Sequence, residues 1–70
     1  MEKNWIKIFS SHNYYQAEIV KQILIEQQIA TVLLNKQDSP HGTFGHIEVY
    51  IHQQDFSNAI EAIILNQINL

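Results

Sequence analysis

HIEVYIH, residues 46–52, alternates apolar and polar side chains without a break: Ile47, Val49 and Ile51 fall on one parity, and His46, Glu48, Tyr50 and His52 on the other. Successive side chains of a strand point to opposite faces, so this stretch reads as a strand with one face in a core and the other in solvent. Strands of that kind belong to antiparallel sheets covered on one side only.

Upstream, KQDSPHGTFG, residues 36–45, holds the only proline and both glycines, and reads as a loop that is long for a hairpin connection. Before it, Ile29 to Asn35 is rich in β-branched and aliphatic residues and reads as a second strand. Both of its parities carry hydrophobes, so its inward face stays open. From Tyr14 to about Gln28 the spacing becomes helical, with Ala17, Val20 and Leu24 on one side and Ile23 flanking them. Asn13 is the expected N-cap because Gln16 follows three residues later, as in a capping box; Ser11 is the fallback. Trp5 to Phe9 reads as the first strand, with Ile6 and Ile8 on one face and Trp5, Lys7 and Phe9 on the other. Downstream, Asp55 is expected to cap a second helix whose core face is Phe56, Ala59, Ile60 and Ile63, running to about Asn66.

The order is β-α-β-β-α, which predicts an α+β fold with two helices on one face of an antiparallel sheet. It is the order of a ferredoxin-like plait with a missing or very short fourth strand. In a complete plait the first strand lies between the third and fourth, so here its edge is expected to be open, and an open edge invites pairing. No repeat, linker or low-complexity tract divides the chain, and residues 1–70 read as one domain.

Composition narrows the function classes. A chain of 70 residues buries only about 60% of the surface it exposes when unfolded, so oligomerisation would help it. With no cysteine there is neither a disulfide nor a thiolate metal site, which fits a reducing compartment. The start lacks the long apolar core of a signal peptide, and a cytoplasmic location is expected. The longest aliphatic run, Ile29 to Leu34, is far short of the roughly 20 residues that span a bilayer, so no membrane is expected. Lys3, Lys7, Lys21 and Lys36 are the only cations apart from histidine, there is no arginine, and the net charge is −3. Phosphate-backbone binding needs clustered Lys and Arg, which argues against nucleic acid.

Chemistry-bearing residues are few. His46, Glu48 and His52 share a face and are the residues a metal reading would have to use. At about 3.3 Å per residue, however, His46 and His52 stand roughly 20 Å apart and cannot hold one ion on a regular strand. They read as solvent-facing, and no metal or other cofactor is expected. Ser10, Ser11 and His12 are contiguous but sit where a cap is expected, and no nucleophile elbow, Walker or dinucleotide fingerprint occurs. An enzyme is not expected. Apolar groups outside the expected core say more. Tyr15, Ile19 and Ile23 form a second helical stripe, while Trp5 and Phe9 fall on the sheet face away from Ile6 and Ile8, joined by Tyr50 if the outer faces of the two strands match. A joined patch of such groups marks an interface.

The runs WIKIF, QAEIVKQILIEQQIA and GHIEVYIHQQDFSNA, with a glycine-containing loop between the last two, resemble the short bacterial domains grouped as prokaryotic signal transducing proteins. The resemblance covers nearly the whole chain and rests on Ala17, Leu24, Ile29, Glu48, Val49, Asp55 and Ala59. It implies likeness to the PII regulators, ferredoxin-like proteins that form trimers and contact partners through the loop between strands two and three. In this chain that loop is Lys36 to Gly45, much shorter, and the nucleotide-binding motifs of those regulators have no match here.

The function expected is a non-catalytic regulatory or protein-interaction module acting as a homo-oligomer, with itself and another protein as partners. Trp5, Phe9, Tyr15, Ile19, Ile23 and Tyr50 are the interface candidates. Lys36, Asp38, Pro40, His41, Gly42, Phe44 and Gly45 are the candidate recognition loop. The alternative is a small-ligand or metal sensor with His46, Glu48, Tyr50 and His52 lining a cleft.

Overall fold

The computed structural model describes residues 4–37 and 45–66. In chain order the elements are β1 (Trp5–Ser11), α1 (Tyr14–Glu26), β2 (Thr31–Gln37), β3 (Gly45–His52), a 3-10 turn (Gln53–Asp55) and α2 (Phe56–Leu65). The strands form an antiparallel sheet in the order β1-β3-β2, so the alternating strand is the central one. The fold is α+β, with both helices packed on the face that β3 lines with Ile47, Val49 and Ile51.

Ala17, Val20 and Leu24 of α1 and Ala59 and Ile63 of α2 complete this core. At roughly 25 cal/mol per Å² of apolar surface, each large side chain buried here contributes about 1.5–3 kcal/mol. β2 resolves its own ambiguity through register. Leu33 lies opposite Val49 and packs on the core, which turns Val32 and Leu34 to the uncovered face.

β1 departs from its expected alternation. Trp5 pairs with His52, Ile6 with Ile51 and Lys7 with Tyr50, but then Phe9, not Ile8, pairs with Val49. Ile8 is the extra residue of a β-bulge, which leaves one residue unopposed and reverses the parity that follows. Ile6, Ile8 and Phe9 therefore all meet the core, and Phe9 is only 7% exposed. Its expected place on the outer face is corrected by that single inserted residue.

The ends of α1 follow from local chemistry. Asn13 caps it, its side-chain oxygen accepting from the N–H groups of Tyr15 (2.9 Å) and Gln16 (3.4 Å). The reciprocal half of the box runs through Ser11. Its hydroxyl accepts from the Asn13 N–H at 3.0 Å and donates to Gln16 Oε1 at 2.9 Å. At the other end Ile29 N–H bonds the Leu24 carbonyl and Gln28 N–H that of Ile25, a Schellman motif. Gln28 takes the left-handed conformation this motif needs, φ 64°, and buried Ile29 packs with buried Leu24 in the core. The helix thus stops at Glu26, and Ile29 belongs to its closure, not to β2.

α2 differs from expectation at its start. Asp55 occupies the N-cap position but its side chain makes no capping bond, and the 3-10 turn precedes it. Phe56, expected inward, is 46% exposed. Ala62 joins Ala59 and Ile63 as a buried residue, and Ile60 is half-buried.

Candidate functional site

The face of the sheet that no helix covers among the described residues is built from Trp5, Lys7 and Ser10 of β1, Val32, Leu34 and Lys36 of β2, and His46, Glu48, Tyr50 and His52 of β3. Glu48 is at its centre, with Ser10 opposite on one side and Leu34 on the other. It was expected in solvent, yet it is 7% exposed. A carboxylate so placed needs donors, since a buried charge is stable only when paired and hydrogen-bonded.

Three donors meet it. Residues two apart on a strand share a face, so His46 and Tyr50 flank Glu48. The Tyr50 hydroxyl donates to Oε1 at 2.9 Å, and His46 Nε2 lies 2.9 Å from Oε2. Because an ionised carboxylate only accepts, Nε2 carries the proton of that bond. Lys7 reaches across from β1 and donates from Nζ to Oε2 at 3.3 Å. The bonds from His46 and Tyr50, with a smaller share from Lys7, hold the Glu48 carboxyl at about 2 against burial that pushes the other way. The Tyr50 hydroxyl moves up in turn, chiefly because its proton is held by Glu48.

A carboxylate so strongly ionised is a feeble proton acceptor near neutral pH, where a general base works best with a matched pKa. The network fills the middle of this face, and no buried polar side-chain atom is without a partner among the described residues.

At one end of the face the Trp5 ring packs on His52, centroids 4.0 Å apart and planes tilted by 34°. At the other, His12 Nδ1 lies 2.7 Å from the Gly45 carbonyl oxygen, which can only accept, so the nitrogen donates. The His12 and His46 rings meet edge-on at 6.1 Å, and with Ser10 and Ser11 they line an open depression of about 280 Å³.

The sequence candidates are distributed as follows. Trp5 and Tyr50 lie half-buried on the uncovered face, and Phe9 leaves it for the core. Tyr15 and Ile19 are exposed and Ile23 half-buried on α1, on the helix side of the molecule, so the six do not form one patch. His46 and Glu48 are brought together, whereas His52 stays at the far end with Trp5. No group of three metal-ligating side chains occurs among the described residues. Lys36, opposite His46, is the last residue but one of β2, and Gly45, opposite Gln37, is the first of β3. Asp38, Pro40, His41, Gly42 and Phe44 lie outside the described residues.

Sequence reasoning missed Lys7 as the partner of Glu48, and Val32 and Leu34 as members of the face. Alternation in β1 placed Lys7 outward; only strand order and register bring it beside Glu48.

The molecule defined so far is a small α+β domain whose sheet, among the described residues, is covered on one side only. Comparisons with protein-family models, with curated proteins and with solved structures give no match for this chain. No helix among the described residues is long and apolar enough to cross a membrane.

Proposed function

We propose that this chain is a non-catalytic protein-interaction module of regulatory type, built as a ferredoxin-like plait and working in the cytoplasm as a homo-oligomer. The carrying observation is the uncovered sheet face, where Trp5, Val32, Leu34 and Tyr50 are half-buried around the Glu48 network with no second layer among the described residues. β1 supports self-association, since its outer edge carries no strand among the described residues.

The sheet order β1-β3-β2 is the one a ferredoxin-like plait has when the place beside β1 is left open, and this supports likeness to the signal-transducing domains named above. Fold likeness alone is analogy, and the uncovered face is what supports interaction. Light scattering at micromolar concentration is expected to give a mass above that of one chain, and Trp5→Ala to lower it. A stable monomer with Trp5→Ala indistinguishable from it would sink the reading.

The depression beside His12 and His46 favours a second reading, a small-ligand sensor. That reading expects a metabolite or metal panel to raise the melting temperature, because a ligand that binds only the native state stabilises it. A flat panel removes it.

A further inference from the structure

Charge is divided between the two sides of the molecule. Among the described residues, Glu18, Glu26, Asp55 and Glu61 lie on the helices or the turn that leads into α2, with Lys21 as the lysine of that side. Lys7 and Lys36 stand on the uncovered sheet face with His46 and His52, and Glu48, the carboxylate of that face, is already matched by its own three donors. Lys7 has three N–H donors and gives one to Glu48, and its side chain remains 49% exposed. Lys36 is exposed. In a chain of net charge −3, the described residues of this face therefore carry an outward charge that is positive.

Lys7 is opposite Tyr50 and Lys36 opposite His46, so they sit four residues apart along β3 and on opposite flanking strands. At about 3.3 Å per residue and about 4.8 Å per strand, they are separated by roughly 16 Å. Half-buried Val32 and Leu34 lie on the same face, on the β2 side of Tyr50 and Glu48.

We propose that this face seats an acidic, partly apolar segment of another protein. Two of its carboxylates, about 16 Å apart, would meet Lys7 and Lys36 on a line that crosses β3 at Glu48, and apolar side chains on the β2 flank of that line would rest on Leu34, with Val32 beside it. The proposal rests on the reading of the uncovered face as an interaction surface and adds the chemistry of the partner. Charge complementarity chooses the occupant. A second copy laid face to face would bring two lysine-bearing faces together. A nucleic acid would find two lysines and no arginine where its backbone calls for a dense cationic row.

The test titrates three labelled probes into the full chain, followed by nitrogen–proton correlation spectra. They are a synthetic peptide with two glutamates separated by three apolar residues, so that both point to one side of an extended chain, its glutamine twin, and a single-stranded oligothymidylate. The glutamate peptide is expected to shift amides of β1, β2 and β3 and to weaken as salt is added. Its affinity should fall about two- to fivefold in Lys36→Ala, as for an exposed ion pair, and further in Lys36→Glu. Equal binding by the glutamine twin, unchanged affinity in both Lys36 variants, shifts confined to the helices, or binding of the oligonucleotide instead would each overturn the proposal. If the sheet amides respond only to the chain's own concentration, the acidic partner is overturned while the interaction surface stands. If they respond to neither, both readings fail.

Discussion

Replacing Glu48 by glutamine removes a group that titrates abnormally in the folded state and leaves the shape of the face unchanged. The carboxyl is held at about 2 by His46, Tyr50 and Lys7, against an ordinary value of 4.5. A depressed folded value means that this group's contribution to stability is complete above the unfolded value and is lost as pH falls toward the folded one. The window is therefore pH 4.5 down to about 2. Near pH 3.3 the carboxyl is about 95% ionised when folded and about 95% protonated when unfolded. Unfolding then takes up about 0.9 proton at this residue alone. Urea unfolding, repeated in small pH steps from pH 5 to pH 2, should give Glu48→Gln a shallower acid slope than the parent by close to one proton within the window. Parallel slopes throughout would refute the reasoning, because the carboxylate would then have no better partners in the folded chain than in the unfolded one.

Other substitutions test the packing and the helix ends. Phe9→Ala should cost about 3–5 kcal/mol by denaturant unfolding, the usual loss for a buried phenylalanine. That is a large share of the roughly 4–10 kcal/mol expected of a domain this size, while Trp5→Ala should cost clearly less; equal costs would place Phe9 outside the core. Asn13→Ala removes the cap of α1 and should lower stability by about 1 kcal/mol, with the loss visible as faster amide exchange at Tyr15 and Gln16. Gln28→Gly should raise the melting temperature, since a side chain in the left-handed region costs about 1–2 kcal/mol and glycine's looser unfolded chain returns only part of that. A fall in melting temperature would contradict the Schellman closure.

Element order, the central strand and the inward residues of α1 were legible because each rests on a period within one segment. Ile47, Val49 and Ile51 needed only alternation, and Ala17, Val20 and Leu24 only helical spacing. What failed needed information from elsewhere in the chain. Phe9 was misplaced because a bulge is a mismatch between two strands, and nothing in WIKIF alone marks Ile8 as the unopposed residue. Phe56 was placed inward because its spacing to Ala59 and Ile63 is helical, but it sits in the first turn of α2, about 70° from the centre of the face that packs. Alternation alone sends Glu48 to solvent for a related reason. Its neighbours His46 and Tyr50 were visible in the sequence, but the residues beside it on β1 and β2 follow from the strand order.

The central claim is that the uncovered sheet face and the β1 edge are where this chain meets other molecules. Nitrogen–proton correlation spectra taken from micromolar to millimolar concentration, with the mass followed by sedimentation, test it most directly. A mass that rises above one chain is expected, with shifts gathered on the β1 edge from Trp5 to Ser10. A single-chain mass at every concentration, with those amides unmoved while any changes fall on α1 and α2, would contradict it.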